Sequence, residues 1–535
     1  MGQYYILELK NDFVETNNIF SNIPIISQEN FAFDEFILKV ETLIINKNIK
    51  YIIIKEDQSF SAMPGQLEQI LSVFKRLKEN NKKLIYFSKN YSLKSLFLSS
   101  ICDERISPLL GSFIFTGLKF SFNFFKRAMD KLDIKIEVYR RGKYKGALDR
   151  FRLDSIDEAQ KEAYGKILEG IYNCFKDEIT KNLNISTELY ENKIYDKILK
   201  IDEAKDLNII TDIKNFKDIE EDFKKKKIKK IKKINISKSF GKGKKVVILN
   251  FDGGIKDGKN DSSPLFGKQI GDDYYLKEID KIAKNKKIKA VIFKVNSGGG
   301  SALASDAIAS ALYDLRKDKI LVVVQSGVAG SGGYFISFPA EKIFTQRTTI
   351  TGSIGVINGM FYMKNLYDKI GITRSELKKG EHADWDSTFR ERTEEEKKLI
   401  DFHIEDIYQK FISKVAEARK KSIDYIDSIG QGRIWSGLDG VEIGITDEIG
   451  DIYKAIDYIK NKLNCKSLNI SFLPKKKTSF INKLLFEHKN VSIGINDIKL
   501  KNEMLNYLSV INEFDKLNNK NLLFIPELLF GEFKM

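Results

Sequence analysis

Ile320-Leu-Val-Val-Val-Gln-Ser-Gly-Val-Ala-Gly-Ser331-Gly-Gly-Tyr-Phe-Ile-Ser-Phe338 decides how the rest of the chain is read. The β-branched run from Ile320 to Val324 predicts a buried strand, Gly327 to Gly330 a turn, and the apolar spacing from Gly332 a helix. Ser331 then falls where strand hands over to helix, with an exposed hydroxyl and the unpaired N–H groups of a first helical turn beside it. Such a turn presents a nucleophile next to an oxyanion site. It is not a dinucleotide loop, because the glycine spacing and the following acidic residue are missing. It also departs from the Gly-x-Ser-x-Gly elbow, because Ala329 stands at the first glycine position. Gly-Ser-Gly-Gly turns are common, so the motif needs support from its surroundings.

That support is an internal repeat at a spacing of roughly 236–240 residues. Tyr51-Ile-Ile-Ile-Lys55 is answered by Ala290-Val-Ile-Phe-Lys294, each fed by an amphipathic helix. Phe151-Arg152 and a capping box begun by Ser155 are answered by Phe389-Arg390 and a box begun by Thr393, each opening a long helix. Two homologous α/β units with parallel-rich sheets follow, at residues 1–215 and 246–470, with an extension at 471–535 that packs or forms an interface. Residues 216–245 read as a lysine-rich linker with a short edge strand at 233–237. Residues 224–233 hold eight lysines, a composition that also suits an anionic membrane surface.

The chemistry sits where the copies differ. Lys94 aligns with Ser331, and Asp57-Gln-Ser-Phe-Ser-Ala62 aligns with Asn296-Ser-Gly-Gly-Gly-Ser301. Glycines directly after a strand free backbone N–H groups for a ligand, so the second unit holds both a nucleophile candidate and an oxyanion candidate. Of the three histidines, His403 falls on a long helix, His488 in the tail, and His382 in a lysine-rich loop with no evident acidic partner. No Ser-His-Asp triad is expected. The remaining base is a lysine. Tyr139-Arg-Arg-Gly-Lys-Tyr-Lys145-Gly146 aligns with Leu377-Lys-Lys-Gly-Glu-His-Ala383-Asp384, so each copy keeps one half of a Ser–Lys pair.

Bulk properties limit the alternatives. A chain of 535 residues needs more than one core, and 42% hydrophobic with 31% charged residues is ordinary for a soluble globular protein. The net charge of +16 is spread along the chain without a nucleic-acid motif, so no nucleic acid is expected as a partner. Cys102, Cys174 and Cys465 suit neither a disulfide framework nor a zinc site, and no metal or cofactor is expected. No signal peptide and no membrane span are predicted.

Gly330-Ser331-Gly332-Gly333-Tyr334, Thr351-Gly352-Ser353-Ile354-Gly355-Val356, the loop 296–301 and the stretch 139–145 together resemble signal peptide peptidase A in its long duplicated form, also called protease IV. The resemblance runs from about Phe36 to about Tyr458. It implies a crotonase/Clp-protease-like fold of stacked β-β-α turns, and a Ser–Lys dyad shared between tandem domains. It further implies a bowl-shaped homotetramer that digests signal-peptide remnants at a membrane. Carried over by motif, Ser331 is the nucleophile, Lys145 the general base and Ser353 the hydroxyl that holds the lysine. The N–H groups of Gly299 or Gly300 and of Gly332 form the oxyanion hole. Gly298 replaces the family's usual proline, and Ala383 rules out a dyad within one unit. The family's N-terminal anchor is not seen, which leaves a cytoplasmic placement as the alternative to membrane association. A crotonase-type acyl-CoA enzyme and a catalytically silent membrane- or partner-binding scaffold are the other classes weighed. A lysine of pKa near 10.4 is neutral in about one molecule in 2,500 at pH 7. Lys145 should therefore be buried at the domain junction, roughly 3 Å from the Ser331 hydroxyl.

Overall fold

Two parallel sheets dominate the computed structural model. It describes residues 2–16, 30–263 and 267–474 and, as backbone, the strands Leu522–Phe524 and Glu532–Lys534. In the first sheet are β1 (Gln3–Leu9), β2 (Ile49–Glu56), β3 (Lys83–Phe87), β4 (Glu104–Ser107), β5 (Asp212–Ile213) and β6 (Lys229–Ile231). They lie in the order β5-β4-β3-β2-β1-β6. In the second are β7 (Lys244–Asp252), β8 (Ile288–Ser297), β9 (Ile320–Gly330), β10 (Lys342–Thr345), β11 (Glu448–Ile449) and β12 (Leu468–Leu473). Their order is β11-β10-β9-β8-β7-β12. All ten of these pairings are parallel, and the two orders coincide strand for strand. The repeat in the sequence is therefore a repeat of an α/β fold.

The helices repeat as well. In the first unit these are α1 (Phe33–Ile45), α2 (Pro64–Glu79), α3 (Leu93–Ser99), α4 (Glu158–Leu183) and α5 (Phe216–Lys225). Their counterparts in the second are α6 (Asp272–Lys284), α7 (Ala302–Asp318), α8 (Gly332–Phe335), α9 (Glu394–Arg419) and α10 (Ile452–Lys462). The succession β8, Gly299–Ser301, α7 is one β-β-α turn.

Period-two alternation explains how the units join. Val247, Leu249, Val291, Phe293, Leu321 and Val323 point to one face of the second sheet, onto Tyr275, Ile279, Ile308 and Leu312 of α6 and α7. Val246, Ile248, Ile292, Val322 and Val324 point to the other face. There they share a cluster with Leu67, Ile70 and Phe74 of α2 and with Ile456 and Ile459 of α10. Strands covered on both faces read as unbroken apolar runs, as these do. Because α2 belongs to the first unit, one core runs through both.

Several expectations are corrected. The stretch expected to be a linker is largely folded: Ile219 and Phe223, one helical turn apart on α5, are buried on the outer face of the first sheet with Tyr4, Ile53 and Phe87. The edge strand after it is β6 rather than 233–237. β9 does not break at Gly327, since Val328 to Gly330 go on to pair with Ile350–Gly352. Asp157, not Ser155, caps α4, accepting from the Gln160 N–H at 2.8 Å. Most of the expected extension at 471–535 lies outside the described residues. No helix among the described residues is long and apolar enough to cross a membrane.

Candidate active site

β9 ends at Gly330 and the chain leaves it through Ser331, whose φ of +55° and ψ of −116° are uncommon for a residue with a side chain. The Ser331 N–H donates to the Gly352 carbonyl at 2.7 Å. A Cβ on Gly333 would stand 2.2 Å from the Ser297 carbonyl oxygen, so the glycine lets α8 press against the loop that follows β8. The turn matches the sequence reading, but the hydroxyl is not exposed: Ser331 has 0% of its surface accessible.

Lys145 arrives from the other unit. Lys135–Arg141 pairs antiparallel with Val356–Tyr362, from Lys135 opposite Tyr362 to Arg141 opposite Val356. Gly142 then turns the chain at φ +103°, where a Cβ would lie 2.3 Å from the Gln431 carbonyl carbon. Gly432 leaves room for Lys145 itself, since a Cβ there would be 2.7 Å from the Lys145 Cβ. Below the turn, Arg140 donates to the buried Asp149 carboxylate at 2.7 Å and to the Lys145 carbonyl at 3.4 Å, while Arg152 holds the second Asp149 oxygen at 2.5 Å. Arg141 pairs with Asp401 and Glu405 of α9. The Asp401 hydrogen bond holds the Arg141 guanidinium above its usual pKa, and Arg141 holds Asp401 below its own.

The Lys145 side chain, with Lys145 2% exposed, ends 2.6 Å from Ser331 Oγ, 3.0 Å from the Ser353 carbonyl and 3.0 Å from Ser353 Oγ. Ser353 is held by its own N–H, which donates to the Arg433 carbonyl at 2.7 Å. Ser331, Lys145 and Ser353 therefore meet across the junction of the units. The glycines after β8 have φ of +104° at Gly299 and +155° at Gly300. The Gly299 N–H donates to Ser297 Oγ at 3.1 Å. Gly332 opens α8, where first-turn amides have no helical acceptor.

The other residues weighed in the sequence lie elsewhere. His382 has its Nδ1 3.3 Å from Glu396, and His403 sits on α9 with its ring against Phe402. His488 lies outside the described residues. Lys94 pairs with the buried Glu56 at 3.3 Å and donates to the Phe60 carbonyl, so that position in the first unit is an ion pair. Asp149 and Gly432 are the site's two supports that sequence reasoning missed. The glycine pair around Gln431 was a visible signal for the second, whereas nothing in the sequence marked Asp149 as buried.

The sequence profile of peptidase family S49 matches residues 76–230 and 313–466, one segment in each unit and together more than half of the chain. The chain is 29% identical over 416 residues to the chloroplastic serine protease SPPA of Arabidopsis thaliana, covering 75% of this chain and 61% of that protein. It is 27% identical over 465 residues to Protease 4 of Haemophilus influenzae, covering 79% of this chain and 72% of that protein. A ClpP1 variant from Listeria monocytogenes overlays with a TM-score of 0.24 at 18% identity, covering 39% of this chain and 92% of that one, a likeness too weak to support any reading. The duplicated sheet, with a segment of the same family profile in each half, places it: the chain belongs to peptidase family S49.

Proposed function

We propose that the chain is a serine endopeptidase whose dyad is divided between its two units, with Ser331 as nucleophile and Lys145 as general base. The observation that carries this is the buried amine 2.6 Å from Ser331 Oγ, with both oxygens of Ser353 at 3.0 Å. A neutral amine has two N–H donors and one lone pair. With the donors on Ser353, the lone pair faces the Ser331 O–H. Ser331 Oγ then attacks a peptide carbonyl carbon while its proton passes to Nζ, and Nζ returns that proton to the leaving amine. Water, deprotonated by the same amine, clears the acyl ester. The Gly299 N–H is directed to Ser297, so in this reading Gly300 and Gly332 supply the oxyanion donors.

The substrates proposed are short or unfolded peptides, signal-peptide remnants among them. Proposed with them are a homotetrameric assembly, peripheral contact with a membrane, and a functional division between a first unit that supplies Lys145 and a second that carries Ser331. A fluorophosphonate probe tests the chemistry: it should label the wild type, fail on Ser331→Ala, and react about 100-fold or more slowly with Lys145→Ala. Full labelling and full peptidase activity in Lys145→Ala would end this mechanism.

A further inference from the structure

Three residues of the second unit, Gln431 to Arg433, hold both the residue before Lys145 and the serine that its amine touches. The Tyr144 N–H donates to the Gln431 carbonyl at 2.9 Å, and the Ser353 N–H donates to the Arg433 carbonyl at 2.7 Å. The Arg433 side chain then reaches back to the first unit. Its Nη1 donates to the Tyr144 hydroxyl at 2.8 Å and pairs with Glu162 of α4 at 2.7 Å, while the Tyr144 hydroxyl donates to the other Glu162 oxygen at 3.0 Å. The guanidinium carbon lies 4.9 Å from the Tyr144 ring centre and 4.4 Å from that of Trp435. Trp435 is itself fixed, with its indole N–H on the Ile429 carbonyl at 2.9 Å and its backbone paired opposite Thr351.

A planar guanidinium that meets two rings and a carboxylate has few other places to go. The Arg433 side chain is 13% exposed and that of Glu162 54%. An ion pair with so open a partner adds little to stability. What it fixes is distance. The strands 135–141 and 356–362 bring the arm into register, but Gly142 turns the chain out of that ladder three residues before Lys145. Beyond the turn, Tyr144 seats the arm on Gln431 and Arg433. One residue, Arg433, thus places Ser353 through its carbonyl and Tyr144 through its side chain.

We propose that Arg433 is a positioning residue, a clamp across the two units that sets where the Lys145 amine ends relative to Ser331. This rests on the reading of Lys145 as the general base. Arg433 touches no reacting atom and acts through Tyr144 and Ser353. A reacting pair displaced by about 1 Å can lose about 100-fold in rate, so a clamp of small energetic weight has a large kinetic effect.

The test is made on the full chain with Arg433→Met, which keeps the stem and removes the donors. Its kcat on a peptide substrate should fall at least about tenfold with KM within about twofold of the wild type, and its fluorophosphonate labelling should slow in proportion. Arg433→Lys, which can still reach Glu162 and the Tyr144 hydroxyl, should recover most of the lost kcat. Amide exchange at Tyr144 and Ser353 should quicken in Arg433→Met. Tyr144→Phe removes only the hydroxyl and should cost about threefold in kcat, with no further loss when added to Arg433→Met. Wild-type kcat in Arg433→Met overturns the proposal, as do unchanged exchange at Tyr144 and Ser353 or fully additive losses in the double variant. Should Arg433→Met fail to fold, an unchanged kcat in Tyr144→Phe overturns it instead. Failure of the wild type to label would remove the catalytic reading, while exchange at Tyr144 and Ser353 would still report the clamp.

Discussion

Around the Lys145 amine, the three oxygens are not equivalent. Ser331 Oγ is the nearest and, in the proposed mechanism, the one that reacts, while the two on Ser353 would fix where the amine points. Ser353→Ala removes one orienting acceptor and should lower kcat about tenfold with KM little changed, since a hydrogen bond to a charged or reacting group is worth about 1.5 kcal/mol. Lys145→Arg keeps a long basic side chain but presents a guanidinium that stays protonated, so kcat should fall about 1,000-fold, as far as in Lys145→Ala. Steady-state kinetics on a peptide substrate check both, and an active Lys145→Arg would show that the side chain is not a base. Both halves of the pair were legible in the sequence because the two copies diverged in complementary ways. The burial of Ser331 was not, because what covers it comes from the other unit. Asp149 escaped notice for a different reason: its cover comes from within its own unit, where Arg140 and Arg152 fold back over its carboxylate.

At the scale of elements, the arm that carries Lys145 depends on one left-handed turn. Gly142→Val puts a branched side chain at φ +103° and into the Gln431 carbonyl, so it should cost about 2 kcal/mol and move the amine off Ser331. The expected readout is a large loss of kcat with only a few degrees of Tm. A second element makes a pH prediction. Glu396 closes the capping box of α9 and, bound by Arg390, is held down to about 2. A carboxylate depressed below its unfolded value near 4.3 adds stability that is fully present above that pH and is lost as pH falls toward 2. Glu396→Gln keeps an acceptor for the Thr393 N–H but loses the ion pair. It should therefore melt below the wild type at pH 7, by about 2 kcal/mol, with the gap closing near pH 2.5 in calorimetry. This box was readable, since Thr393 and Glu396 are three apart. Helix α5 was not, because eight lysines directly downstream masked a stripe of Phe216, Ile219 and Phe223 whose partner face is made by distant strands.

Across the whole molecule, a divided site works only if the units stay in register, and a buried polar cluster lies on their junction. Lys294 of β8 and Glu15, which follows β1, are both inaccessible and form an ion pair. Ser326 of β9 donates to Glu15, Gln69 of α2 donates to Ser326 at 2.6 Å, and the Lys294 ammonium sits 4.2 Å from the Phe33 ring centre. Burial pushes the Lys294 pKa well below its ordinary value. Glu15→Gln leaves that lysine without its carboxylate and should cost about 3–5 kcal/mol at neutral pH. A lysine depressed in the folded state destabilises it wherever the unfolded chain holds the proton, so the variant should regain stability as pH rises toward 10. Because Val322 and Val324 of one unit share a core with Leu67 and Phe74 of the other, the loss should move a single cooperative transition rather than split it. Calorimetry at pH 7 and pH 9.5 decides the matter. Two resolved transitions in the wild type, or a Glu15→Gln melt that coincides with it, would mean that the register between Ser331 and Lys145 is held by the paired strands 135–141 and 356–362 alone.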